Sequence, residues 1–433
     1  MSFLPQFGAL LLLSLSGMAA DWPTFRGPVG DGSTPDEGAV DGNGRLGPMV
    51  WTASLPGIGY STPAVLGENV FVTCPDRDAQ LLLLCLSRQT GAIRWQRQLE
   101  FGDRSAPNGL NNMGTPSPVA TPDTVVAVTG LGNIRAFGPD GSLRWQHSLR
   151  EGGTPAFRWF YSSSPVLAAG LVICQMSQRP DGDAYPHSRA GQLPRGSWVR
   201  ALDLKSGAVR WQTPIAPEAT GEDAEAYGSP VATTDTLAVS GGGRLHLLRL
   251  PDGGMKGSVP LNVRRGNLGA LVATPLPVDG RWLMLGQRGQ RLTEFAEDAT
   301  GSLRPGWQLD EAIPEWTTPV RWQEAVAVVN GIRSELLLLE PMTGKVTFRM
   351  PLNCPGRIFA PPTAAGRFLT VVSEEGTLMV IRRRAGKPEV CDRHPFGESP
   401  TRTTVAVAGT EHFCRLRNQL ICFRHARAEA ARN

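Results

Sequence analysis

Aromatic side chains recur at a fixed distance from a set of prolines. Tyr60, Tyr227, Trp316 and Phe359 stand three residues before Pro63, Pro230, Pro319 and Pro362, and Tyr161 stands four before Pro165. Rings repeated at one register can stack on a flat ligand or grip an extended peptide. Asn111, Asn112 and Arg357 would add polar contacts beside them. That chemistry is binding, with no bond made or broken. The competing reading is that these rings only plug a funnel beneath packed loops.

Catalytic constellations are missing from the sequence. The six histidines, His147, His187, His246, His394, His412 and His425, form no H-E-x-x-H and no close pair, and no G-x-S-x-G elbow occurs. His187 lies near Asp183, Tyr185 and Arg189 in a long insertion, the kind of segment that carries function on rigid scaffolds. It reads more simply as a solvated excursion. Asp181 and Asp183 supply two carboxylates, too few for a calcium loop, so no metal ligands are assigned. The net charge of +4 is spread without long runs, which excludes the basic footprint of a nucleic-acid binder.

The prolines belong to a larger phrase, a small residue plus proline followed by a short apolar run and an alternating strand. It returns at Pro63, Pro118, Pro165, Pro230, Pro275, Pro319, Pro362 and Pro400, in contexts such as YSTPAV, SSSPVL and WTTPVR. A period of roughly 40 to 50 residues with short strands and no helical pattern is that of a β-propeller, one four-stranded blade per repeat. The expected fold is therefore all-β with eight blades, or seven if the repeat around Pro275 or Pro362 is a loop. Strand a should begin at the proline, where a missing N–H donor costs little. The first repeat reads as Pro63 to Leu66, Asn69 to Cys74, Leu81 to Leu86 and Trp95 to Leu99. Between strands c and d stand turns with Gly91, Gly141, Gly207 and Gly344, glycines that supply a positive φ. The last repeat has only three strands, and VWTASL at 50–55 is expected to supply the fourth, removing an open edge.

The remaining segments are read by composition. Residues 1–20 carry an apolar run from Phe7 to Leu15 and then small residues, a signal peptide cut after Ala19 or Ala20. That implies a secreted or periplasmic protein, and no lipid-anchor cysteine or transmembrane segment follows. Residues 21–48 form a Gly/Pro-rich arm expected to pack Trp22 and Phe25 on the surface of a propeller spanning 49–425. Residues 177–196 are an insertion, and 426–433 a frayed tail. Seven scattered cysteines give no metal or haem motif. Cys414 and Cys422 flank a hairpin and could form a bridge, although buried apolar thiols are the simpler reading.

The pattern A-x-D-x-x-[ST]-G-x-x-x-W is complete at Ala201, Asp203, Ser206, Gly207 and Trp211, and partial at Cys85 to Trp95 and Ala136 to Trp145. It resembles the tryptophan-docking repeat of the pyrroloquinoline-quinone-type propellers, the quinoprotein alcohol dehydrogenase-like superfamily. The opening DWPTFRGPVGDG and the GYSTPAV blade resemble the secreted bacterial noncatalytic branch, over roughly residues 21–425. The resemblance implies that Trp95, Trp145 and Trp211 dock between blades near Gly91, Gly141 and Gly207. Its catalytic members use pyrroloquinoline quinone with calcium, an aspartate base and commonly an adjacent-cysteine disulfide. No adjacent cysteines and no C-x-x-C-H site occur here. The expectation is a monomeric, noncatalytic scaffold without a cofactor, binding a protein or small flat ligand; alternatively, a quinone- and calcium-dependent alcohol or sugar dehydrogenase. The noncatalytic relative it resembles is the propeller lipoprotein of outer-membrane protein assembly, from which it departs by lacking the lipid-bearing cysteine.

Overall fold

The computed structural model describes residues 21–78, 80–101, 111–149, 160–178, 196–215, 224–261, 270–286, 291–298, 302–313, 316–397 and 401–425. The leader, the body of the insertion with Asp181, Asp183 and His187, and the tail lie outside them. Eight antiparallel sheets are built, and the described residues contain no α-helix. Seven blades are thereby excluded. Blade 1 consists of Ala64–Leu66, Asn69–Pro75, Gln80–Ser87 and Ile93–Phe101, strands a to d in hydrogen-bonded order. Strands a of neighbouring blades touch one another, so they surround the axis while strands d form the rim.

The other a strands are Val119–Ala120, Val166–Ala168, Val231–Ala232, Leu276–Val278, Val320–Trp322, Thr363–Ala365 and Ala406–Ala408. In blades 1 to 7 the strand starts directly after the proline, one residue later than the sequence suggested. In blade 8 it starts after Val405, which holds the proline's place; Pro400 lies outside the described residues. The outer strand of that eighth sheet is Met49–Ser54, with Trp51 opposite Cys422 and Ala53 opposite Leu420.

The c strand of blade 1, QLLLLCLS, is apolar throughout because both of its faces are covered. Leu81, Leu83 and Cys85 pack with Val125, Ala127 and Phe137 of blade 2, while Leu82, Leu84 and Leu86 pack with Phe413 and Leu420 of blade 8. At strand d the blades lock through indoles. Trp51, Trp95, Trp145, Trp211 and Trp307 each lie on the c–d turn glycine of the next blade: Gly91, Gly141, Gly207, Gly253 and Gly344. A Cβ on Gly207 would fall 2.6 Å from the Trp145 ring. Each indole N–H also donates to a carbonyl of that turn, such as Trp95 to Pro139 O and Trp145 to Leu204 O, both at 2.9 Å. The equivalent positions in blades 4, 6 and 7 hold Gly257, Phe348 and Asp392.

A second fastening explains the residue before each proline. The backbone N–H of Thr62 donates to Ser117 Oγ at 2.9 Å, Ser117 to Ser164 at 3.0 Å, Ser164 to Ser229 at 2.9 Å, Ser229 to Thr274 at 3.2 Å and Thr274 to Thr318 at 3.0 Å. Proline directs the preceding residue into extended geometry, which aims these groups around the ring. Pro361 interrupts the girdle in blade 7: it offers neither hydroxyl nor N–H, and the next hydroxyl, Thr404 Oγ1, is buried without a partner among the described residues.

The arm crosses one end of the channel. Trp22, fully buried, exchanges backbone hydrogen bonds with Val65 at 2.9 and 2.8 Å, and Pro23 O accepts from Ala120 at 2.9 Å. Arg26 Nη2 donates to Pro319 O at 2.6 Å and to Asp31 O. Ser33–Thr34 adds a parallel strand to Ala364 and Ala365, and Ala39 N–H donates to Nδ1 of buried His412 at 2.8 Å. The arm thus ties blades 1, 2, 6, 7 and 8 together. Trp22 lies inside the molecule, where the sequence reading had it on the surface.

The thiols are unbridged. Cys414 is opposite Ile421 and Cys422 opposite Phe413, so the two cysteines project to opposite faces of their hairpin and cannot meet.

Candidate functional site

The chain enters each a strand at the end of the channel opposite the arm. The position three before the blade-starting residue holds Tyr60, Thr115, Ser162, Tyr227, Val272, Trp316, Phe359 and Arg402 in blades 1 to 8. Three of these form a continuous row. The Trp316 and Phe359 rings are 5.0 Å apart at 36°, and the Arg402 guanidinium lies 5.0 Å above Phe359. Trp316 is oriented by its indole N–H, which donates to Ile358 O at 2.9 Å. Arg402 is held in plane by Glu374 Oε1, reached from Nε at 3.1 Å and Nη2 at 2.5 Å. A guanidinium laid over a ring this way presents a flat face.

Tyr60 continues the arc into blade 1, half-buried, with Arg415 behind it. Arg415 is buried, and Nη1 donates to Ser61 O at 3.2 Å and to Ser61 Oγ. Its Nε and Nη2 have no partner among the described residues. Burial pulls its pKa down to about 10, countered by Cys74 and Tyr60, so it remains a cation at neutral pH. Burial raises the Cys74 thiol, keeping it neutral. No described carboxylate compensates that charge.

The other residues named from the sequence are placed differently. Tyr161 is 1 % exposed and sits in the core with Cys174 and Trp198, so its ring face is already covered. Tyr227 is buried and donates its hydroxyl to the buried Glu225 carboxylate. Asn112 spends its amide on the lead-in turn, Nδ2 donating to Ile58 O at 2.8 Å and Oδ1 accepting from Gly114 N at 2.9 Å. Asn111 is half-buried beside it, and Arg357 is exposed in the loop before Phe359. The structure stacks Trp316 and Phe359 with Arg402, and sets Tyr60 near Arg415; Arg402 and Arg415 are two residues the sequence reading missed. The signal for Arg402 was available: the preceding repeat interval, carried forward from Pro362, lands on Val405.

What this mouth can do is stack and pair charges. Among the described residues no three His, Cys, Asp or Glu side chains gather to hold a metal ion. Glu225 and Glu374, on different blades, are each taken by a neighbour, the first by the Tyr227 hydroxyl and the second by Arg402. The Ser258 to His246 contact of 3.0 Å is a cross-strand pair inside blade 4, with the other ring nitrogen 3.2 Å from Gly241 O, far from the channel. No helix among the described residues is long and apolar enough to cross a membrane.

No curated protein matches the chain. Among solved structures, BamB from Moraxella catarrhalis superposes with a TM-score of 0.60 at 14% identity, over 88% of this chain and 100% of that one. A europium-containing methanol dehydrogenase gives 0.65 at 11% identity, over 89% and 87%, and the quinohemoprotein alcohol dehydrogenase from Comamonas testosteroni 0.65 at 12%, over 94% and 80%. At such identities the likeness is one of fold, shared by BamB and by dehydrogenases. Residues 43–180 match the PQQ_2 family model, described as outer membrane protein assembly factor BamB, and the described chain has the eight-bladed propeller fold common to BamB and the quinoprotein dehydrogenases.

Proposed function

We propose that this protein is an exported, noncatalytic propeller scaffold, secreted or periplasmic, that binds a partner or ligand at its channel mouth without a cofactor. The observation that carries the reading is the contiguous Trp316, Phe359 and Arg402 row. Its three members come from three blades at one register and offer stacking surface, and among the described residues no cluster of three His, Cys, Asp or Glu side chains accompanies it. The match to the assembly-factor family model over residues 43–180 supports the same reading.

The test is thermal melting of the mature protein with and without calcium and pyrroloquinoline quinone. A ligand of the folded state at 100 times its Kd stabilises by about 2.7 kcal/mol. Unchanged melting at saturating concentrations is the expected result. An upward shift that requires both additions overturns the noncatalytic reading in favour of a dehydrogenase.

A further inference from the structure

The mouth is electrostatically lopsided. Among described residues, the lead-in loops and b–c turns of blades 7 and 8 carry Arg357, Arg402 and Arg417, and the end of strand b of blade 8 carries Arg415, against the carboxylates Glu374 and Glu375. Glu374 is engaged by Arg402. Arg357 and Arg417 are exposed, while Arg415 is sealed behind Tyr60 with two nitrogens unpartnered. A cation buried without a counter-ion is weakly screened, so its field extends into the adjoining channel mouth. Around the ring, the described lead-in residues of blades 1, 2 and 5 carry no charge, and blade 4 presents only buried Glu225; the b–c turns of blades 1 and 6 add Asp76, Arg77, Asp78 and Arg333. The lead-in cations, Arg357 and Arg402, and the buried Arg415 therefore fall on blades 7 and 8, beside Phe359.

The row is also long. Trp316 to Phe359 to Arg402 advances in two steps of 5.0 Å, and Tyr60 holds the same register position in the next blade, blade 1. An extended chain advances about 3.3 Å per residue, so the row matches several residues of a strand and outreaches a single planar group.

We propose that the mouth sector of blades 6, 7, 8 and 1 binds acidic, aromatic-bearing peptide segments in extended form. This rests on the mouth being the binding site of the scaffold proposed above. The peptide's aromatic side chains stack on Trp316, Phe359 and Tyr60, and its carboxylates meet Arg357 and Arg417 in the field of Arg415.

The experiment is fluorescence anisotropy on the full mature chain at low salt, with two dye-labelled nonapeptides of alternating residues, Glu/Phe in one and Lys/Phe in the other. The Glu/Phe peptide is expected to bind at least tenfold more tightly. The double variant Arg357→Glu with Arg417→Glu, at two exposed positions, should weaken it tenfold or more while improving the Lys/Phe peptide, and Phe359→Ala should weaken both. Equal affinity for the two peptides, lost in Phe359→Ala, overturns the charge selectivity while leaving the mouth as a binding site. Binding of neither peptide, or binding indifferent to both sets of variants, overturns the peptide inference outright.

Discussion

Acid should loosen this propeller through one imidazole. His412 is fully buried on strand b of blade 8, opposite Val407 and Phe423, and accepts the Ala39 N–H of the arm at Nδ1, 2.8 Å away. A Cβ on Gly38 would lie 2.3 Å from the ring, so the arm is packed hard against it. Burial lowers the His412 pKa from 6.5 to about 3. The folded state therefore binds fewer protons than the unfolded one in that interval. The contribution is fully present above pH 6.5 and is lost as pH falls toward 3. At 1.36 kcal/mol per unit, falling to pH 4.5 costs about 3 kcal/mol. With an unfolding entropy of about 2.1 cal/mol/K per residue over roughly 400 residues, the melting temperature should drop by about 3 to 4 °C from this group alone. Carboxylates also titrate there, so the assay is the difference between wild type and His412→Gln, whose amide oxygen can accept the Ala39 N–H without titrating. The gap between the two melting curves should narrow by that amount from pH 7 to 4.5. Parallel curves across the interval would refute the argument.

Three further outcomes follow from the packing. Gly207→Ala places a Cβ 2.6 Å from the Trp145 ring at a φ of +71°, and should destabilise by about 2 to 4 kcal/mol in denaturant unfolding. Glu411→Gln breaks a buried cluster in which Arg88 Nε lies 2.5 Å and Arg424 Nη2 2.7 Å from the carboxylate, and should cost about 3 to 5 kcal/mol by the same measurement. Pro361→Ser restores a hydroxyl and an N–H to the interrupted girdle and gives Thr404 Oγ1 a donor, so it should raise stability by roughly 1 kcal/mol; a lowered melting point would contradict the girdle's role.

The architecture was legible because its phrase has two physical causes at once. Proline marks where strand a starts, and the Ser or Thr before it bonds to the neighbouring blade, so the two residue types recur together. Where either cause lapses, legibility lapses too: Val405 replaces the last proline, and counting from Pro400 hid Arg402. The arm's path could not be read, because it is fixed by backbone bonds between distant residues, Ser33 with Ala364 and Trp22 with Val65, that leave no trace in side-chain pattern. At the mouth, recurrence identified the aromatic positions, but not which rings are covered. Tyr161 and Trp316 look alike in sequence and differ in what the fold lays over them.

The pairing of Met49–Ser54 with the strand ending at Arg424 has a consequence for how the molecule is made. The first blade strand to be synthesised has no partner until Gln419–Arg424 has been made. Throughout that interval the nascent protein carries an exposed strand edge and an undocked Trp51, and a truncated copy would carry them permanently. Resistance to proteolysis is therefore coupled to synthesis of the hairpin Glu411–Arg424, which supplies the missing partner.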